Sequence, residues 1–385
     1  MAKKSVSRVD RNLARRLREA RRESGLSTRM AVLRLPKRFV VSHTTVASYE
    51  NGTSVPPVDM LAAFADLYAR PLNWFLENRE SLTDFRYWNI RSRIPVKERH
   101  QFQAVVGKWA DAYLKLDQHL CTPQRQRLAA PVKAAIELSP HKLAQVVRQS
   151  IFEIDDDEPI HSVIKLLESF SAWALEIKAS IGIEAAAARY GQKTVIAFNP
   201  EISKDRLRMI AAHELAHVLY DDCKQTLGWN ERVLGKKAFG FATSLLMPES
   251  QLHAAFEGRS FIRLAQHAEK FGIPITAMIY MAESVDIINT TASRWLLAEI
   301  RRRGWKSQQH GYVWRDRALT FESMLESAIQ TKAITWLDAE RITGIRESEL
   351  RQRLIEVIQP DSVDNTQTTL KIFDSFLSDS EAETG

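Results

Sequence analysis

His213-Glu214-Leu215-Ala216-His217 follows Arg206-Leu207-Arg208-Met209-Ile210-Ala211-Ala212 and runs on into Val218-Leu219-Tyr220. No Pro or Gly interrupts the stretch, so it reads as one apolar helix. Residues four apart lie on one helix face, which lets both imidazoles reach a single metal ion. Glu214 then stands beside them without having to ligate, where a carboxylate can take a proton from metal-bound water. The plainer alternative is two histidines packed in a helix, and the segments around the motif bear on that choice.

Upstream, Ala172-Trp173-Ala174-Leu175-Glu176-Ile177 and Thr194-Val195-Ile196-Ala197-Phe198-Asn199 read as strands. Asn199-Pro200 makes a turn and Ser203 is placed to cap the long helix. The acidic run Asp155-Asp156-Asp157-Glu158 reads as an exposed capping run before a helix at 161–169 rather than a cation site. Downstream comes Phe241-Ala242-Thr243-Ser244-Leu245-Leu246-Met247-Pro248. The strand 194–199, the histidine helix and this last segment together resemble the ImmA/IrrE metallopeptidase-like family, over about 140–305. The resemblance implies that His213 and His217 bind zinc, that Glu214 acts as general base, and that a later Glu completes the metal shell. In the family that Glu lies in a Glu-x-x-Ala pattern shortly before Phe-Ala. Here the stretch reads Gly235-Lys236-Lys237-Ala238, so Gly235 occupies the slot. A catalytic zinc takes three protein ligands and keeps one position open. Glu231, Asp221 and Cys223 are the substitutes within reach of the motif face in sequence. The other outcome is a pocket without a third ligand, vestigial or given to another ligand. Tyr190, Tyr220 and His253 are available as oxyanion donors.

The N-terminal end has a different character. Residues 1–40 carry thirteen Lys and Arg against Asp10, Glu19 and Glu23, a net +10. The whole chain is +7, which leaves −3 for the remainder. A basic end on a nearly neutral body points to a polyanion partner. Within it, residues 11–22 form an Arg-rich helix with Leu13, Leu17 and Ala20 at core spacing, which Gly25 can end. Ser27 caps a second helix carrying Met30, Ala31, Leu33 and Leu35; Ser42 caps a third, which stops at Asn51-Gly52. A fourth follows Pro56-Pro57, with Leu61, Phe64, Leu67 and Tyr68 as its apolar stripe. Four short helices in this order make a helix-turn-helix layout, whose third helix enters the major groove of DNA.

Leu17-Arg18-Glu19-Ala20-Arg21, Gly25-Leu26-Ser27 and Val41 to Gly52, followed by Pro56, resemble the XRE family of lambda-repressor-like regulators. The resemblance implies that His43, Thr44 and Ser48 contact bases. Ser42 and Thr45 touch phosphate or cap the helix, and Arg29 belongs to the same DNA-facing set. Val46, Tyr49 and Glu50 fall at structural positions. The span from Ser27 to Ser42 is about four residues longer than the family usually has, through either a longer second helix or an enlarged turn.

These readings predict a mainly α fold with a small β-sheet. A lambda-repressor-like bundle occupies 1–80 and a helical linker 81–139. An α+β zincin-like domain follows at 140–305, and C-terminal helices with an acidic tail fill 306–385. Phe85-Arg86-Tyr87-Trp88 reads as the end of the first module, and Lys97 to Leu120 as a connecting helix. Two distant cysteines, Cys121 and Cys223, make no disulfide framework, and the chain shows no secretory h-region and no apolar run of membrane-spanning length. The expectation is a cytoplasmic homodimer that binds a double-stranded DNA operator, contacts no membrane, and takes a protein substrate or a small-molecule effector. Its function reads as a sequence-specific transcriptional regulator with a zinc-dependent sensing or cleaving domain. The alternatives are an active zinc peptidase that cleaves a DNA-bound repressor, and a ligand-sensing repressor with a degenerate metal site.

Overall fold

The computed structural model describes residues 8–76, 82–89, 94–120, 130–170, 172–179, 182–221, 228–304 and 316–358. In chain order the elements begin with α1 (Arg8–Glu23), α2 (Thr28–Arg34), α3 (His43–Glu50), α4 (Val58–Leu67), α5 (Leu72–Leu76), β1 (Leu82–Asn89) and α6 (Val96–Leu120). Then follow α7 (Ala130–Ala135), α8 (Pro140–Val147), α9 (Val163–Ser169), β2 (Ala172–Glu176), β3 (Ile183–Tyr190), β4 (Lys193–Phe198), α10 (Lys204–Tyr220) and α11 (Glu231–Leu246). The last are α12 (Glu249–Phe256), α13 (Phe261–Phe271), α14 (Ile275–Ser284), α15 (Thr290–Arg302), α16 (Thr320–Gln330), α17 (Trp336–Thr343) and α18 (Glu347–Ile358). The chain is thus mainly α-helical with a few short strands, as its periodicities predict. It divides into two compact units, one drawn from 1–112 with 179–192 and the other from 113–178 with 193–385.

In the first unit, Leu13, Leu17 and Ala20 put one stripe of α1 into a core shared with Ala31, Val46, Leu61, Phe64 and Phe75. Gly25 ends α1 with φ +67°, a left-handed turn that the Gly25 and Leu26 N–H groups close onto Arg22 O and Arg21 O. Ser27 caps α2 by accepting from Met30 N–H. Ala31 and Leu35 of the second helical segment are buried in the core and Val32 packs against it; Met30 and Leu33 are exposed, and α2 ends at Arg34. Tyr49 meets Phe64 edge-on and Phe64 stacks on Tyr68, with centroids 6.4 and 5.7 Å apart. The short helix α5 belongs to this core too. Arg16 is buried with its guanidinium 3.5 Å from the centroid of the Trp74 ring, and its Nε donates to Trp74 O.

Two strands depart from the sequence reading. Residues 82–89, assigned there to a module boundary and a helical linker, form β1, which pairs antiparallel with β3 from Leu82↔Tyr190 to Asn89↔Ile183. β3 is Ile183-Glu184-Ala185-Ala186-Ala187-Ala188-Arg189-Tyr190, and its alanines are buried. Such a run has helical propensity, and pairing with burial on both faces overrides it.

In the second unit, β2 and β4 pair parallel from Ala172↔Thr194 to Glu176↔Phe198, the two strands predicted there. α10 is buried on nearly every side, and it packs against α9 and α11. Ser203 takes its N-cap position but its side chain makes no capping bond. The acidic run at 155–158 is exposed but is not the cap of α9. Ser162 caps α9 by accepting from Lys165 N–H, and Asp316 accepts from the N–H groups of Val163 and Ile164 at 2.7 and 3.3 Å. Buried Arg208 reaches Asp316 at 3.5 Å and donates to the carbonyls of Ile160 and His161. Buried Arg148 instead donates to Asp155 O and Glu158 O, which fixes the acidic run through its backbone. The acidic tail from Asp361 lies outside the described residues.

Candidate metal centre and nucleic-acid interface

The histidine motif occupies the C-terminal half of α10. Flanking residues Ile210, Ala211, Ala212, Leu215 and Ala216 are fully buried, so the helix is packed in place and its side chains have little freedom. His213 and Glu214 are buried and His217 is half-buried. The two Nε2 atoms stand 3.1 Å apart, with the rings tilted at 54°. The ligand atoms of His213, Glu214 and His217 all lie within 4.8 Å of one another. Two nitrogens on one tetrahedral zinc, each at a Zn–N length of roughly 2.0–2.1 Å, stand about 3.3 Å apart. The imidazole pair therefore fits two ligand positions of such an ion, and also the length of an N–H···N hydrogen bond between neutral rings. Tyr220, one turn after His217, is buried edge-on against Trp229, and burial pushes its phenol well above the usual tyrosine range.

Among the described residues, no side chain beyond Glu214 joins the imidazole pair. Among the described residues, the His213–Glu214–His217 group alone brings three or more His, Cys, Asp or Glu ligand atoms so close. Asp221 is the C-cap of α10, and Glu231 is the exposed first residue of α11. Neither belongs to that group, and Cys223 lies outside the described residues. One turn after Glu231 stands Gly235, where an added Cβ would meet no atom within 4 Å. His253 is exposed and 3.9 Å from Glu249, and the Tyr190 hydroxyl donates to Asp111.

At the other site, Ser42 is the N-cap of α3 and accepts from Thr45 N–H at 3.1 Å. Its hydroxyl also meets those of Thr44 and Thr45, so three polar side chains gather at the helix start. His43 and Thr44 are exposed; Thr45 and Ser48 are half-buried. Val46, Tyr49 and Glu50 are buried, with Glu50 gripped by Arg21 at 2.6 and 2.7 Å through both carboxylate oxygens. That pair, with Arg18 donating to Glu50 O, ties the back of α3 to α1. Arg29 is exposed on α2. The division between exposed and structural positions of α3 thus follows the periodicity of its sequence. What the sequence left open was the route from α2 to α3: the helix is not prolonged, and the extra residues form a turn.

Residues 12–73 match the helix-turn-helix domain family and residues 177–283 match the IrrE N-terminal-like domain. No curated protein and no solved structure matches the chain. Among the described residues no helix is long and apolar enough to cross a membrane.

Proposed function

We propose that this chain, carrying a helix-turn-helix domain and an IrrE N-terminal-like domain, is a sequence-specific transcriptional regulator whose second domain senses a signal or processes a partner protein. One observation carries the reading: α3 holds its buried face rigidly through Arg21–Glu50 while its capped N-terminus offers Ser42, His43 and Thr44 to solvent. In a helix-turn-helix those first residues of the third helix meet base edges in the major groove. Ser42 and Thr45 are suited to phosphate, and Thr44, His43 and Ser48 to bases. A single helix-turn-helix reads a short half-site, so the regulator acts as a homodimer on a double-stranded operator. Binding of labelled duplex from the gene's own upstream region tests this. Wild type binds, affinity falls steeply with salt, and Thr44→Ala loses about 1 kcal/mol on that duplex. Equal affinity for Thr44→Ala would remove the assignment of base contact to the start of α3.

The second reading, a zinc peptidase acting on a protein substrate, draws on the imidazole pair with a buried carboxylate beside it. His213 and His217 would hold the ion through Nε2, with Glu231 or Asp221 completing the shell only after moving to the pair. Zinc, when bound, supplies Lewis acidity. Glu214 would hold a proton at its carboxylate and return it to the leaving amine. The regulator reading ranks first because the described donor set stops at two imidazoles and one carboxylate.

A further inference from the structure

The Arg-rich character of residues 1–40 suggests that α1 is the DNA-facing cation stripe. The packing distributes those charges otherwise. Arg16 is buried under Trp74 and paired with Glu19, Arg18 binds Glu50 O and Asn51, and Arg21 grips Glu50. These three arginines hold helices together. Another basic group lies in the segment between α2 and α3, the part of the chain that is longer than the helix-turn-helix pattern requires. There Phe39 N–H donates to Pro36 O at 2.9 Å and closes a four-residue turn. Leu35, just before the turn, is buried, and Phe39, at its end, packs against the core of the unit. Both flanks are therefore anchored. The two corner residues between them are Lys37 and Arg38, both exposed, with the Arg38 guanidinium 5.0 Å from the Phe39 ring centroid. The turn leads within four residues into Ser42, the cap of α3.

We propose that the turn Pro36–Phe39 is a second DNA-contacting element, in which Lys37 and Arg38 hold the phosphate backbone beside the site read by α3. The inference rests on the DNA-binding reading above and adds to it. A four-residue turn anchored at both flanks fixes the backbone beneath its two cations, so little backbone freedom is left to lose on binding. Each cation that neutralises a phosphate adds about 0.9 to the slope of log affinity against log salt.

The test titrates salt against a labelled random-sequence duplex, using the full chain. The variant is Lys37→Gln with Arg38→Gln, and the control is Lys270→Gln with Lys332→Gln, which removes the same charge at exposed positions elsewhere. All four residues are exposed, so thermal melts serve only to confirm equal folding. The turn variant is expected to lower the salt slope by about 1.8, while the control keeps the wild-type slope. A turn variant with the wild-type slope overturns the inference and leaves α3 as the DNA reader. Equal losses in variant and control also overturn it, because they report net charge alone. A wild type without salt-dependent binding to duplex sinks this inference together with the DNA-binding reading.

Discussion

His217 contributes one of two imidazoles whose Nε2 atoms stand at the separation a shared ion needs, and Gly235 leaves open space on the neighbouring helix α11. Two ligands bind zinc weakly, and a third raises affinity. The account therefore predicts substoichiometric zinc in the purified wild type and loss of it in His217→Ala. Gly235→Glu, placing a carboxylate where the sequence pattern of related domains has one, is expected to bring zinc to about one per chain. Elemental analysis after dialysis reads all three; equal zinc in wild type and His217→Ala would eliminate the metal reading. At this scale the motif was legible because i, i+4 spacing fixes a shared face whatever the surroundings. The third ligand was not legible. Glu231 and Asp221 lie at helix ends, where sequence spacing no longer fixes direction.

Two helices in the second unit exchange carboxylates at their starts. Asp316, just before α16, accepts the first N–H groups of α9, and Glu168, near the end of α9, accepts from both the hydroxyl and the N–H of Thr320 at the start of α16. Free helix N–H groups favour an anion, but burial works against it. Burial dominates at Glu168 and lifts its pKa to about 8. A folded-state pKa above the unfolded value means that the folded form holds the proton more tightly. The contribution is full below about pH 4.5 and is lost as pH rises through about 8. Glu168→Gln removes this dependence. It is expected to melt several degrees above wild type at pH 9, with the gap closing toward pH 5, as thermal scans across that range would read. A constant gap at all pH values would contradict the assignment. None of this exchange was visible in the sequence, because partners more than 150 residues apart leave no local signal. Elements with a strong local code were legible: Ser27 and Ser42 cap the helices they were expected to cap, and the strands at 172–176 and 194–198 follow their β-branched and aromatic residues. β3 was missed because an alanine run carries helical propensity, and β1 because its aromatic residues gave no clean alternation.

For the whole molecule, the charge is set apart by position: the first forty residues are +10 and the rest −3. The basic segment encloses the first two helices of the domain matched at 12–73, whereas the histidine motif lies within the domain matched at 177–283. In the proposed function, joining the two on one chain would couple whatever the second domain binds or cuts to the first domain's occupancy of DNA. That coupling has meaning only if the first domain reads sequence, since phosphate attraction alone would hold the protein anywhere on a duplex. The layout of α3 was legible in the sequence because its cap, exposed hydroxyls and buried anchors all follow from one short stretch, Val41 to Gly52. The most direct measurement is selection from a random duplex pool by the full-length protein at physiological salt, with Thr44→Ala run in parallel. The account predicts that wild type enriches one motif with two-fold symmetric half-sites and that Thr44→Ala relaxes the enrichment at defined positions. A wild-type pool that remains random, or an identical motif from both proteins, would contradict it.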